Sequence, residues 1–479
     1  MKIRRHFHGS LLVLLLACLF SPRPTKAQYA LQTEFGNTTL CDTMTRGIYC
    51  VWWDKNWNYA TDADILLDSM LRYRTYCLNQ LNMQDPPNPP AGFYYNVYLH
   101  NGQDTFPNWW GNGQGTDIYG QPYLTLPIGA HNDWVNVAHE TFHVFQYSAT
   151  APGFAYAGDS QWYIEASANW FAALMHYGYV GAFIEAEALV RIPQVALWLS
   201  FDNFPNYYPQ NWQRYVHQYA LSVLLFYLTE EAGVAHTNIT SGMFSTTTEM
   251  PQEYYFNLIG ASNFRTHFLD WAGHMTNRYD FLTPQQYTRN LVEWNDYADP
   301  ADDKQFAATY TDAGTNGWYR PADSMCTKAW AFNTYKLQNT VADNYAFRIR
   351  GDQFGTQMDS AWFAGQVVVQ NAQTGVSFHN LNMSNSLDGD LTLSLTPDDT
   401  TVYFIVASMP TVFTGVDQIF RYDMEIEKGA ILNLDDQISG AAPQIISRHN
   451  LLGQEVSADF KGVQLLRYDN GRVRKIRVW

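Results

Sequence analysis

The feature that most constrains this chain is an H-E-x-x-H pattern at residues 139–143. On an α-helix, positions i and i+4 lie on one face, so His139 and His143 can present two imidazole nitrogens to one metal ion. Glu140 lies beside them, where a carboxylate can act as general base toward a metal-bound water. Asn132 is a suitable N-cap, and apolar residues around the motif support a helix. The pattern therefore predicts a helix that carries a metal site, with Zn²⁺ as the metal.

A catalytic zinc site needs a third protein ligand and one open position. Glu165 is a specific candidate, 22 positions after His143, in a stretch that reads W-x-x-E-x-x-A. Asp159 or Ser160 can cap a second helix that carries this glutamate on its first turns. Asn169 follows one turn later on the same face, where it can orient a liganding histidine. Two antiparallel helices joined by a short loop would bring the three ligands together.

The two-part motif resembles the gluzincin metallopeptidases, in particular the aminopeptidase-type and peptidase MA-like branches. The continuation of the first helix to Gln146 also resembles the enhancin and mucin-directed peptidases. The resemblance implies that the two histidines and Glu165 hold zinc, with Glu140 as base, in an α+β zincin-like domain of mixed sheet plus helical half. Ala166 stands where that family often has glycine. The aminopeptidase motif for a substrate N-terminus is not found, so exopeptidase activity does not follow.

A later helix is predicted from Gln213 to about Glu231. The gluzincin resemblance implies that such a helix carries a tyrosine or histidine that stabilises the tetrahedral oxyanion. Tyr219 is the first candidate for this catalytic role, followed by Tyr215 and His217. A buried structural side chain is the alternative for each of them.

The residues before the motif are predicted to form strands and one helix. The strands are Ile48–Trp53, Phe93–Leu99 and Tyr123–Ile128, and the helix is Asp62–Leu81. By the same resemblance, Tyr123–Pro127 binds an extended peptide by strand addition. An ordinary interior strand is the alternative.

The N-terminus has the organisation of a secretory signal peptide, residues 1–27. A positive start precedes the apolar run Leu11–Phe20, and a small-residue cleavage site ends at Ala27. The run is too short to span a membrane. We therefore expect a protein that is secreted or held at the cell surface.

Four cysteines lie outside the predicted signal, an even number that permits two disulfides in an exported protein. Pairing of Cys41 with Cys50 is the local expectation. None of the four has the spacing of a zinc knuckle.

The formal net charge of −16 argues against nucleic acid or anionic lipid as a partner. The gluzincin resemblance implies a protein, peptide or glycoprotein substrate as the partner, and the sequence leaves the oligomeric state open. Aromatic residues make up 16% of the chain, which also suits stacking on sugars. The alternative function is a non-catalytic glycan-binding or surface interaction protein with a vestigial zinc site.

A length of 479 residues predicts two or three domains. We expect the metallopeptidase-like domain at 28–300, an acidic linker around Pro300, and an all-β sandwich domain at 315–430. Residues 28–430 also resemble exported bacterial proteins that are classed only as domains of unknown function. The β domain is predicted from seven short alternating segments separated by turn residues. These segments are Ala331–Leu337, Tyr345–Arg350, Phe363–Val369, Val376–Leu381, Leu391–Leu395, Val402–Ala407 and Phe420–Ile426.

The last segment, residues 447–479, is rich in lysine and arginine. Its pattern of Asn450–Val456, Lys461–Val463 and Tyr468–Gly471 resembles the C-terminal sorting tail of Bacteroidetes type IX secretion. The resemblance implies contact with the outer-membrane secretion machinery. A final hairpin of the β domain is the alternative.

Overall fold

The chain divides into two compact units in its computed structural model. Unit 1 comprises Met1–Glu187, Trp198–Gly260 and Phe281–Tyr297, and unit 2 comprises Ala188–Leu197, Ala261–Asp280 and Ala298–Trp479. The described residues are 29–102, 105–107, 111, 115–177, 184–186, 188–189, 192–204, 212–277, 279–282, 308–310, 317–337, 340–352, 360–429, 445–450, 454–468 and 473–478. The predicted signal peptide, the acidic linker and the predicted boundaries at 300 and 315 lie outside them.

Unit 1 contains a mixed five-stranded sheet with the order β1-β2-β3-β5-β4. The central pairs β2–β3 and β3–β5 are parallel, and the outer pairs are antiparallel. Every residue of β2 and β3 is buried, as expected for parallel strands covered on both faces. The strands are β1 (Cys41–Arg46), β2 (Tyr49–Asp54), β3 (Tyr95–His100), β4 (Gly115–Thr116) and β5 (Pro122–Pro127).

The helices of unit 1 supply the two motif segments. The described helices are α1 (Ala60–Asn79), α2 (Asn88–Ala91), α3 (Trp134–Gln146), α4 (Gln161–Met175), α5 (Trp212–Ala220), α6 (Ser222–Glu230), α7 (His236–Ser241) and α8 (Pro251–Ile259). Helix α4 is buried from its first residue through Ala173, because it is apolar around most of its circumference. Helix α3 contacts α1, β5 and α4.

Two local predictions for these helices were wrong. The N-cap of α3 is Asp133 rather than Asn132, and its carboxylate accepts a hydrogen bond from the backbone N–H of Asn136 at 3.2 Å. The single helix predicted from Gln213 is two helices, α5 and α6, with a turn at Leu221.

The expected disulfide between Cys41 and Cys50 does not form. The register of β1 and β2 pairs Cys41 with Asp54 and Cys50 with Thr45, four rows apart along the ladder. Four residues of strand span about 14 Å, whereas a disulfide joins Cα atoms within about 7 Å. The four cysteines among the described residues are buried and free.

Unit 2 is rich in antiparallel sheet and includes helix α9 (Ala261–Thr276), which contacts β10 and β14. One sheet has the order β11-β10-β14-β8-β6 and the other β12-β13-β9-β15-β7. Facing side chains of the two sheets meet, as in the ring pairs Phe347–Phe404 and Phe363–Tyr422 at 5.4 and 5.8 Å. The strands are β6 (Ala308–Tyr310), β7 (Trp318–Tyr319), β8 (Ala331–Leu337), β9 (Asn344–Gly351), β10 (Phe363–Asn371), β11 (Gly375–Asn380), β12 (Asn382–Met383), β13 (Asp388–Ser394), β14 (Asp399–Ser408) and β15 (Tyr422–Lys428).

Each of the seven strands predicted for the β domain overlaps an observed strand, namely β8, β9, β10, β11, β13, β14 and β15. The chain ends in a separate antiparallel sheet of β16 (Ile445–His449), β17 (Gly462–Tyr468) and β18 (Val473–Val478). Its proposed sorting role stays a prediction. None of the helices in the described residues has the length and apolar character needed to cross a membrane.

Candidate metal centre

Helices α3 and α4 bring the three predicted ligands to one point. The Nε2 atoms of His139 and His143 lie 2.9 Å apart. Oε2 of Glu165 lies 3.2 Å from the first of these nitrogens and 3.4 Å from the second. All three residues are buried, with exposed fractions of 7%, 5% and 4% in the same order.

The hydrogen bonds of Gln146 define which nitrogen of His143 carries a proton. The Gln146 amide donates from Nε2 to the carbonyl of Ile164 at 3.1 Å and to Oγ of Ser167 at 3.0 Å. Its Oε1 therefore faces Nδ1 of His143, 2.6 Å away, and Nδ1 must be the donor. In the neutral ring this leaves the Nε2 lone pair directed at the centre.

Asn169 orients the other histidine in the same way, as the sequence predicted. Its Oδ1 lies 2.7 Å from Nδ1 of His139, and its amide nitrogen points to the carbonyl of Tyr219 at 3.5 Å. A histidine that binds metal through Nε2 commonly donates its other N–H to an acceptor of this kind.

The arrangement favours a cation between the three side chains. Two Nε2 atoms and a carboxylate oxygen face each other, and none of the described residues completes a hydrogen bond to the buried Oε2 of Glu165. Without a bound cation, burial lowers the pKa of His143, but the Glu165 and Glu140 carboxylates outweigh it and raise that pKa to about 9. A metal ion would take the place of the proton that the carboxylates then hold on His143. Burial raises the pKa of Glu165, but the two histidines bring it well below its usual range. These residues therefore fit a divalent metal ion, and the N₂O donor set suits zinc.

Glu140, the predicted base, lies on α3 and is 8% exposed. The backbone of Gly111 approaches it so closely that a Cβ built on this glycine would lie 2.4 Å from Oε1. A side chain at position 111 would collide with the carboxylate. The glycine is therefore required for the observed position of Glu140.

Tyr219, the predicted oxyanion donor, lies beside the centre. Its ring centroid is 5.8 Å from that of His139 and 6.1 Å from that of Phe201. Burial, followed by the charge of Glu165, raises the pKa of its hydroxyl, which therefore stays protonated. His217 forms a structural hydrogen bond instead, since its Nδ1 donates to the carbonyl of Leu199 at 3.0 Å. The side chain of Tyr215 lies outside the described residues.

The family of the chain follows from a comparison with protein-family models. The model described as "Family of unknown function (DUF6055)" matches residues 53–429, well over half of the chain. The chain belongs to this family. A search of the curated proteins found no match for the DUF6055 chain.

Two solved structures share limited likeness with the DUF6055 chain. One is the M60 catalytic domain with two CBM51 domains from Clostridium perfringens ZmpB, at 8% identity and a TM-score of 0.28, covering 91% of this chain and 67% of that one. The other is a GH115 4-O-methyl-α-glucuronidase with specificity for decorated arabinogalactans, at 10% identity and a TM-score of 0.12, covering 73% and 54%. With TM-scores this far below 0.5, neither likeness bears on the fold or activity of the DUF6055 chain.

Sequence reasoning missed three residues that surround the centre of this DUF6055 chain. The motif extension includes Gln146 but assigns it no role, although an amide at i+3 from a liganding histidine is a local signal for an orienting contact. Tyr156 donates a hydrogen bond to Oε1 of Glu165 at 2.7 Å, and burial, followed by the Glu165 charge, raises the pKa of its hydroxyl. Gly111 lies in a glycine-rich stretch of sequence whose composition does not indicate a contact with Glu140.

Proposed function

We propose that this DUF6055 chain is a zinc-dependent peptidase with a zincin-like catalytic region, exported and directed at protein or glycoprotein substrates. The observation that carries the proposal is the convergence of two Nε2 lone pairs and Oε2 of Glu165 at one buried point. The gluzincin-like spacing of the motif supports the same conclusion.

In the proposed mechanism His139, His143 and Glu165 would hold the zinc ion. A zinc ion bound there would supply Lewis acidity, which lowers the pKa of a water molecule and polarises the scissile carbonyl. The carboxylate of Glu140 takes a proton from the attacking water and passes it to the leaving amine. The Tyr219 hydroxyl, which stays protonated, donates a hydrogen bond to the developing oxyanion.

The gluzincin resemblance implies that the substrate binds along the edge of β5 that faces away from β3. β4 pairs only with Pro122 and Tyr123 of this strand. Among the strands that the structure describes, none pairs with Leu124–Pro127 on the side away from β3. Leu124, Thr125 and Leu126 are fully buried in this structure, so an extended peptide could pair with their backbone groups by strand addition only if this edge becomes accessible.

The test of the proposed activity combines metal content with digestion of a broad peptide library. The wild-type protein should contain one zinc per chain and cleave peptides, with products identified by mass spectrometry as peptides with new amino and carboxyl termini. Glu140→Gln should keep its zinc and lose hydrolysis by about 10²- to 10⁴-fold. Cleavage at the wild-type rate by this variant would contradict the assigned base. A protein without stoichiometric zinc would contradict the proposed function.

Export is proposed from the predicted signal peptide and the tail at 447–479. In a host with type IX secretion, the full chain should reach the medium or cell surface. A variant truncated after residue 446 should accumulate in the periplasm. Equal export of both chains would contradict the sorting role of the tail and leave the peptidase proposal unchanged.

A further inference from the structure

Tyr156 touches the candidate metal centre from outside both motif helices. It lies in the loop between α3 and α4, and its hydroxyl donates to Oε1 of Glu165 at 2.7 Å. Its side chain is 37% exposed, so it reaches from the surface to a carboxylate that is 4% exposed.

The two oxygens of Glu165 have different surroundings as a result. Oε1 accepts the Tyr156 hydrogen bond, whereas Oε2 faces the two histidine nitrogens. A carboxylate without the first contact could turn about its terminal torsion, which is a soft one. The hydrogen bond from Tyr156 to Oε1 opposes that rotation and so keeps Oε2 directed at the histidine pair.

The loop that carries Tyr156 contacts the Ser160 hydroxyl, whose single proton is shared between two carbonyls. Oγ of Ser160 lies 2.6 Å from the carbonyl of Ala155 and 2.9 Å from the carbonyl of Ala157. These two residues flank Tyr156 directly. Phe154 anchors the start of the loop, since its side chain is 2% exposed and its ring contacts that of Tyr163. The Tyr156 hydroxyl is thus presented from a fixed backbone.

We propose that Tyr156 is a positioning residue that orients Glu165 for metal binding. The inference rests on the proposed metal site and adds to it a residue that neither the motif nor the gluzincin resemblance assigns. Tyr156 acts through Glu165, whereas the oxyanion role proposed for Tyr219 requires contact with the substrate. The two tyrosines should therefore differ in their effects on metal affinity.

The test removes the hydroxyl alone with Tyr156→Phe. Zinc affinity is measured by competition with a chromophoric chelator, and the ligand field is followed by the visible absorption of the Co²⁺-substituted protein. Loss of a hydrogen bond to a ligating carboxylate should weaken zinc binding about 10- to 100-fold and change the Co²⁺ spectrum. One metal ion per chain should still bind at saturation. The metal-free protein should stay folded with a slightly lower melting temperature, because Oε1 of Glu165 loses one hydrogen-bond donor.

Tyr119→Phe is the matched control, because Tyr119 is a loop tyrosine of comparable exposure, at 50%. It should bind zinc like the wild type. Ser160→Ala, which removes the hydroxyl shared by the Ala155 and Ala157 carbonyls, should weaken zinc binding in the same direction but by less. Tyr219→Phe should lower turnover while leaving zinc affinity unchanged.

The outcomes separate this inference from the proposed function. Wild-type zinc affinity and an unchanged Co²⁺ spectrum in Tyr156→Phe would overturn the positioning role and leave the peptidase proposal intact. A wild-type protein that binds neither Zn²⁺ nor Co²⁺ would overturn both. An equal loss of zinc affinity in Tyr119→Phe would also overturn the positioning role, because the effect would then not depend on Glu165.

Discussion

Oε1 of Gln146 accepts a hydrogen bond from Nδ1 of His143, 2.6 Å away and one turn earlier on the same helix. Through its amide nitrogen the same side chain contacts the carbonyl of Ile164 and the hydroxyl of Ser167 on α4. One residue therefore sets the tautomer of a candidate ligand and ties together the two helices that supply all three ligands.

Gln146→Leu tests this double role with a side chain of similar size. Loss of the acceptor for Nδ1 of His143, together with loss of the Gln146 contacts to Ile164 and Ser167, should weaken zinc binding about 10- to 100-fold. These losses should also lower the free energy of unfolding by roughly 1–3 kcal/mol. Chelator competition and urea denaturation check the two effects. Wild-type affinity in a folded variant would show that the histidine needs no partner at Nδ1.

Gly111→Ala should separate metal binding from turnover. The added methyl group would lie 2.4 Å from Oε1 of Glu140, so either the loop or the carboxylate must move. A displacement of about 1 Å can lower a rate by about 10²-fold, and zinc content should not change. Gly317→Ala is the control, because a Cβ at Gly317 meets no atom within 4 Å. Unchanged turnover in Gly111→Ala would show that the position of Glu140 does not limit the reaction.

Metal removal should destabilise the protein. Zinc binds the folded centre but not the same three groups in an unfolded chain, so it stabilises by about 4 kcal/mol at a thousandfold excess over its dissociation constant. Chelation should lower the melting temperature, and added zinc should restore it. Glu165→Ala should abolish the zinc-dependent increase, because the third ligand is lost. A melting temperature that changes with neither chelator nor zinc would contradict the proposed metal site.

Stability should fall on acidification below neutral pH because of two other histidines. Burial lowers the pKa of His217 and of His176 to about 4 each. The unfolded chain takes up these protons below about pH 6.5, whereas the folded chain does so only near pH 4. The free energy of unfolding should therefore decrease from pH 6.5 to 4. For His217, which is 2% exposed, the decrease should be on the order of 2–3 kcal/mol.

Urea denaturation of the metal-free protein between pH 6.5 and 4.5 measures this decrease. His143, whose pKa is raised to about 9, contributes stability that is fully present below pH 6.5 and is lost only at higher pH. Glu165, whose pKa is lowered, contributes stability that is lost only as the pH falls below about 4.5. His217→Asn should flatten the profile, since asparagine can still donate to Leu199. An unchanged slope would exclude His217 as a cause.

Much of this protein was predictable from local patterns. The spacing of His139 and His143 puts both on one face of a helix whatever the rest of the chain does, because the α-helical period alone decides it. The helical period also puts Asn169 one turn after Glu165 on the same face. The two-residue period of strands predicts the seven alternating segments of unit 2. Local prediction was less accurate at element ends, where Asp133 rather than Asn132 caps α3.

Contacts between distant parts of the chain were decided only by the tertiary structure. Cys41 and Cys50 are close in sequence, yet the register of two paired strands keeps them about four rows apart. Neither hydrophobic period nor motif spacing predicts the hydrogen bond from Tyr156 to Glu165. The same is true of the close approach of Gly111 to Glu140. The sequence by itself determined which side chains could bind a metal. The packing of α3 against α4 decided whether these side chains meet, and the placement of the loops decided which residues hold them. Both depend on contacts between distant parts of the chain, which local periodicity does not encode.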